Sequence, residues 1–125
     1  RMPVLQWWHS LAPLHALHTV LPTNRLPCEA GHSVSWAGLT VQFLYPPLGV
    51  DYAVRKTNSV SCVLRISDTD AGGKTSVLFT GDIEADQEAK LIERNPDALN
   101  ATVLLAPHHG SAAALRGIMC LPRAI

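Results

Sequence analysis

Between residues 39 and 45 the chain reads LTVQFLY, with Leu39, Val41, Phe43 and Tyr45 set against Thr40 and Gln42. An extended chain sends alternate side chains to opposite faces, so this period of two predicts a half-buried strand, which Pro46 and Pro47 end. Residues 48–57 carry no periodic pattern and predict a loop. The β-branched run SVSCVLRI at 59–66, the turn-rich DTDAGGK and the short SVLFT at 76–80 together predict a β-hairpin. The period then changes. In GDIEADQEAKLIERNPDALN, Ala85, Ala89 and Ile92 recur at helical spacing, acidic residues crowd the first turn, and Lys90 and Arg94 fall near the end, before Pro96. Such a charge order complements the helix dipole and predicts a helix of about three turns. ATVLLAP at 101–107 is wholly apolar, the pattern of a strand buried on both faces. At the other end, Trp7, Trp8, Leu11, Leu14, Leu17 and Leu21 have partly helical spacing and predict a short helix before an extended turn at LPTNRLP.

The order strand, helix, strand over 76–107 predicts a βαβ unit. Its two strands would run parallel through a right-handed crossover, so the residues just after each strand emerge at the same sheet edge. Asp82 follows the first strand and His108-His109 follow the second. Loops beyond the carboxyl ends of parallel strands are where α/β sheets gather ligands. Gly81 lets the chain turn and Asp82 then offers a carboxylate, a hard oxygen donor for a divalent metal; the same position before a helix also suits an N-cap. His108 and His109, between a proline and a glycine, offer imidazole nitrogens to a metal, or else hydrogen-bond within the loop.

Composition narrows the classes. The 125 residues suffice for one domain with one modest core. Lys plus Arg and Asp plus Glu number 10 each, so no global field draws the chain to nucleic acid or to an anionic membrane, and any such contact is local. Prolines interrupt the apolar N-terminal region well short of the roughly 18 to 20 apolar residues of a membrane span. Cys28, Cys62 and Cys120 show no CxxC spacing, which argues against a zinc knuckle and leaves buried thiols or a disulfide in an oxidising compartment.

The segments NSVSCVLRI, SVLFTGDIEADQEAKLI and ATVLLAPHHGS, in that order and spacing, closely resemble the metallo-β-lactamase-like domain of ComEC-type DNA-internalisation competence proteins. CEAGHSVSWAGLTVQFLYPP is similar to the segment of that family in which a Cys and a Gly precede a Trp, a Gly and a strand closing on proline. The resemblance spans about residues 25–111. It implies an α/β fold, part of the four-layer αββα metallo-β-lactamase sandwich, with residues 1–125 forming a single partial domain. It also implies that Asp82 is the catalytic, metal-bridging carboxylate, that His108 or His109 is the late histidine ligand, and that Gly110 and Ser111 shape the loop. Asn58 stands near a position where relatives place a histidine ligand, and is either a metal neighbour or a turn-forming Asn.

The family's opening HxHxDH-type cluster does not occur here, and His9, His15 and His18 have the wrong spacing to replace it. The chain therefore reads as the domain without its N-terminal metal-motif half. A complete domain would hold zinc or manganese, and this segment little or none. After HHGS the family continues into a Ser/Thr-rich loop, whereas AAALRGIMCLPRAI follows here. The implied parent is an inner-membrane DNA-uptake protein whose soluble, periplasmic domain is a metal-dependent nuclease on incoming DNA, with the rest of that protein as its partner. This segment alone would be inactive. A non-catalytic domain shaping the DNA path, or a generic hydrolase of the same fold, are the alternatives. A domain on the oxidising side of the membrane further implies a Cys28–Cys62 disulfide.

Overall fold

The computed structural model describes residues 6–21, 23–70, 72–112 and 117–118. Its centre is a five-stranded sheet in the order β3-β4-β5-β6-β7, made by Ser33–Trp36, Leu39–Tyr45, Val63–Asp68, Ser76–Phe79 and Val103–Leu104. The alternating segment at 39–45 forms β4 with the predicted bounds, and the β5–β6 hairpin is antiparallel as expected. β3 and β4 are joined at Ala37-Gly38, both at positive φ (48° and 79°), the left-handed pair that matches strand twist in a two-residue hairpin. Residues 59–62, predicted to open β5, do not. The Ser59 hydroxyl donates to the Lys56 carbonyl at 2.7 Å and the Ser61 N–H to the Asn58 carbonyl at 3.2 Å, so local bonds fold Thr57–Val60 into a 3₁₀ turn.

β6 and β7 pair in parallel, Val77 with Val103 and Leu78 with Leu104, and helix α1 (Ala85–Arg94) lies between them in sequence. This is the predicted βαβ unit. One face of the sheet carries Tyr45, Val63 and Leu78, and on it pack Ile83, Leu91, Leu99 and Ile118. The helix buries only part of the expected stripe, since Ile92 packs against the core but the two alanines do not. Ala85 and Ala89 are exposed, while Gln87, Glu88 and Leu91 are buried. The reason lies beyond the helix: the Glu88 Oε2 accepts the N–H groups of Gly117 and Ile118 at 3.0 and 3.2 Å, which draws a carboxylate inward to satisfy backbone donors. Gly117 is tight against α1, because a Cβ there would meet Ile92 Cδ1 at 2.6 Å.

The opposite face is apolar as well. Register pairs Val34 with Val41, Val41 with Ile66, Ile66 with Val77 and Val77 with Val103, a β-branched row across all five strands. A second row runs Phe43, Leu64, Phe79. Among the described residues Phe43 is the buried member of this face, 3% exposed, and the ring of Trp8 stacks on it at 4.5 Å. Trp36 is 70% exposed and Val103 50%. The predicted burial of 101–107 on both faces therefore fails. β7 is a two-residue edge strand with Leu104 against the core and Val103 on the open face.

The predicted N-terminal helix is also absent. Trp7–His9 (β1) pairs in parallel with Arg25–Pro27 (β2), and Ala16–Thr19 makes one 3₁₀ turn. Pro13 breaks the helical run, and an extended β1 lets Trp8 reach Phe43. Cys28, next to β2, is disulfide-bonded to Cys62, next to β5, with Cα atoms 5.7 Å apart. Tyr52 seals this corner by donating its hydroxyl to the Cys28 carbonyl at 2.9 Å, and burial, with Glu29 nearby, pushes the phenol up to about 12. The third thiol, Cys120, lies outside the described residues.

The disulfide closes a separation of 34 residues. Loop entropy then gives a stabilisation of about 3 to 4 kcal/mol, so reduction should lower the urea midpoint by the corresponding amount. An unchanged midpoint would show that the bond does not constrain the unfolded chain. Glu88→Ala should remove exchange protection from the Gly117 and Ile118 amides, read by hydrogen exchange, because it deletes their common acceptor.

Candidate functional site

β6 leads directly into the site. Thr80 is fully buried and its hydroxyl donates to the Leu105 carbonyl at 2.9 Å, while the His108 N–H donates to the Gly81 carbonyl at 3.1 Å. The loops after β6 and β7 are thus tied to each other at the carboxyl edge of the parallel pair. Gly81 (φ 56°) is where the chain turns out; a Cβ there would stand 3.1 Å from Ser61 Cβ and 3.2 Å from the Cys62 carbonyl. Both the backbone conformation and the space require glycine. The Asp82 N–H donates to Ser61 Oγ at 3.3 Å, so the turn containing Asn58 borders the site through Ser61.

Asp82 does not cap the helix. Glu84 occupies the N-cap position, and the Gln87 Oε1 accepts its N–H at 3.1 Å, as in a capping box. Asp82 therefore lies outside the capping position expected of it, because fully buried Ile83 and Glu84 stand between it and the helix start at Ala85. Its carboxylate instead faces the second loop. His109 Nε2 lies 3.3 Å from Asp82 Oδ1, with the side chains 86% and 42% exposed. A polar contact this open to water adds little stability.

The loop holding the histidines is strained. His108 (φ 46°, ψ 47°) and His109 (φ 54°, ψ 25°) are both left-handed, and Gly110 follows at φ 79°. For residues other than glycine such a conformation costs on the order of 1 kcal/mol or more each. Buried Pro107 on one side and the Ser111 N–H bonding to the His108 carbonyl at 2.9 Å on the other hold it in place. His108 turns away from its neighbour: its Nδ1 is buried without a hydrogen bond, 4.0 Å from Glu84 Oε1. The two rings are 6.4 Å apart. A cleft of about 300 Å³ opens beside the pair, lined by Asp82, His109, Gly81, Cys62 and Leu105.

The structure therefore brings Asp82 and His109 together and leaves His108 beside Glu84. Among the described residues no three His, Cys, Asp or Glu side chains converge as a metal site. The N-terminal histidines serve their own segment. His15 Nδ1 accepts the Leu17 N–H at 3.2 Å, His9 Nδ1 accepts that of Leu11 at 3.2 Å, and His18 Nε2 meets the Ala12 carbonyl at 2.9 Å. Burial, then His18 and Arg25, lower the His9 pKa. Sequence reasoning missed Glu84 and Ser61. Glu84 had a legible signal in Gln87 three residues on; Ser61 had none, since its role depends on a contact 21 residues away.

No family model matches the chain, and no solved structure matches it. Three curated proteins are similar. An uncharacterized protein of Escherichia coli K12, YcaI, is 40% identical over 85 residues, covering 68% of this chain and 10% of that protein. Recombination protein 2 of Haemophilus influenzae is 40% identical over 84 residues, 67% of this chain and 9% of that protein. Competence protein ComA of Neisseria gonorrhoeae is 33% identical over 86 residues, 66% of this chain and 11% of that protein. The chain thus spans about a tenth of the length of the relatives it matches. Over two thirds of its own length, it is related to proteins named for competence and recombination.

Proposed function

We propose that this chain is the later part of an αββα metallo-β-lactamase-type domain within a DNA-uptake protein, where Asp82 and His109 form part of a metal-dependent site that cleaves incoming DNA. The observation that carries this reading is the 3.3 Å approach of a carboxylate and an imidazole from two loops of one βαβ unit. Asp82 has no capping duty to account for it, and the strained histidine loop is the kind of backbone that persists at functional sites. The names of the relatives support the DNA-uptake setting. The open apolar row from Val34 to Val103 supports a second sheet packed on the first, since aligned sheets bury just such faces. The Cys28–Cys62 bond supports an oxidising, extracytoplasmic location.

The two donors that converge suit a divalent metal such as zinc or manganese: the Asp82 carboxylate oxygen and the exposed His109 imidazole nitrogen. Such an ion, when bound, lowers the pKa of its water and takes up phosphate charge. The chain's own contribution is orientation. Gly81 and the His108 N–H to Gly81 carbonyl bond hold the two loops in register, and Ser61 fixes the Asp82 backbone. Further ligands must come from outside the residues described. A non-catalytic domain that shapes the DNA path is the second reading, favoured by the absence of a third converging ligand among the described residues.

Zinc and manganese should stay well below one equivalent on this chain after dialysis, because two or three donors do not offset the dehydration of a small cation. Stoichiometric metal resisting a chelator would place the whole ligand set within the chain. In the full-length parent, Asp82→Ala should abolish metal-dependent DNA cleavage and move the melting midpoint little, roughly within the 0.5 kcal/mol of an ordinary surface change. Undiminished cleavage by that variant would reject the catalytic role and favour the structural reading.

A further inference from the structure

The turn DTDAGGK, read from sequence only as the β5–β6 connection, has no part in the site described above. It stands at the other end of the same strands. Ser76 begins β6 and Thr102 immediately precedes β7, whereas Asp82 and His109 follow the far ends of those strands. A cleft of about 450 Å³ lies here, lined by Arg65, Gly73, Lys74, Asn100, Thr102 and the carboxylate-bearing Asp97.

Two of its lining side chains are cations. Arg65 comes from β5, and register sets it across from Leu78 of β6. Its guanidinium donates from Nη2 to the Gly73 carbonyl at 3.3 Å, while its Nε–H is buried with no acceptor. The Nε is closed to solvent, so a ligand in the cleft meets the guanidinium through its terminal nitrogens. Lys74 adds a second cation from the hairpin and is exposed, so it is free to close on a ligand. Against these two stands one carboxylate, Asp97, which leaves the cleft net positive. The frame is firm. Ser76 is 3% exposed and its N–H donates to Thr102 Oγ1 at 3.1 Å, and the Thr102 hydroxyl donates to the Lys74 carbonyl at 3.4 Å. Those bonds lock the hairpin carrying Lys74 to the loop before β7. Gly72 and Gly73, at φ 66° and 74°, leave the loop without side chains where the ligand would approach, and a Cβ at either would meet nothing within 4 Å.

We propose that this cleft binds a phosphate group, with the Arg65 fork and the Lys74 ammonium as its ligands. The fork geometry of Arg matches phosphate oxygens, and Lys acts as a point charge beside it. Because the cleft is open and much larger than one phosphate, the group can belong to a nucleic-acid strand as well as to a free ion. A phosphate held here sits at the far end of β6, about 13 Å of strand away from the Asp82 edge, and requires neither metal nor catalysis. It stands or falls independently of the reading of Asp82 and His109.

The test is amide chemical-shift titration of the whole chain at low ionic strength, first with inorganic phosphate, then with a single-stranded thymidine oligonucleotide, and with acetate as control. Saturable shifts confined to Gly72, Gly73, Lys74 and Thr102 are expected with phosphate, and at lower concentration with the oligonucleotide. Lys74→Glu should weaken both about tenfold, as loss of a charge-assisted contact does, with its melting midpoint unchanged. Asp82→Ala should bind as the parent does. Shifts with phosphate but not with the oligonucleotide would keep the phosphate site and assign it to the free ion. An equal response to acetate, no response to phosphate and oligonucleotide, or unaltered affinity in Lys74→Glu would each overturn the proposal. Arg65→Gln serves as a second variant, and Lys74→Glu carries the test if that one does not fold.

Discussion

The parallel pairing of β6 with β7 is the constraint on which the rest depends. Two strands that point the same way deliver their following loops to one edge, and here the Thr80 hydroxyl and the His108 N–H stitch those loops together. An antiparallel return would have carried the histidines to the opposite end of the sheet, beside Lys74, with Asp82 left alone. The crossover helix makes the parallel return feasible, and its buried face against Tyr45, Val63 and Leu78 supplies the apolar burial that holds it there. The same direction of travel that joins Asp82 to His109 also brings Lys74 and Thr102 together at the other end.

Both faces of the sheet are apolar, and among the described residues the main core cluster lies on one of them. Strands with polar outer faces are the rule when antiparallel sheets meet water. The row from Val34 through Ile66 to Val103 departs from that rule along every strand, and Trp8 stacks on Phe43 in the row beside it. The two-stranded β1–β2 unit has no backbone pairing with the large sheet; it is tied on through Trp8 and through the Cys28–Cys62 bond.

Strain and restraint are placed side by side at the candidate site. His108 and His109 adopt left-handed backbone that glycine takes at no cost, and a buried proline and a turn hydrogen bond hold them there. The result aims one imidazole at Asp82 and turns the other inward toward Glu84. Two neighbouring histidines thereby acquire different surroundings: one open to solvent beside a carboxylate, the other with a buried nitrogen that lacks a partner.

Local pattern by itself determined the elements whose period is strong. The alternation of LTVQFLY gave β4 to the residue, the two β-branched runs gave the hairpin, and the change to helical spacing after Gly81 gave α1 and hence the βαβ unit that predicts convergence of Asp82 with the histidine pair. Tertiary structure decided what period cannot encode. Which stripe of α1 is buried followed from a carboxylate bonding backbone groups 29 and 30 residues away, so Glu88 went inside and Ala89 outside. The apolar N-terminal stretch became a strand because Trp8 gains a ring partner on β4 that no local helix offers. Val103 was left half exposed because nothing in its own sequence window tells whether a face will be covered. His109 rather than His108 reached Asp82 because the left-handed turn sends adjacent side chains in different directions, and that geometry is imposed by Pro107, the Ser111 turn and the Gly81 contact rather than by the histidines themselves.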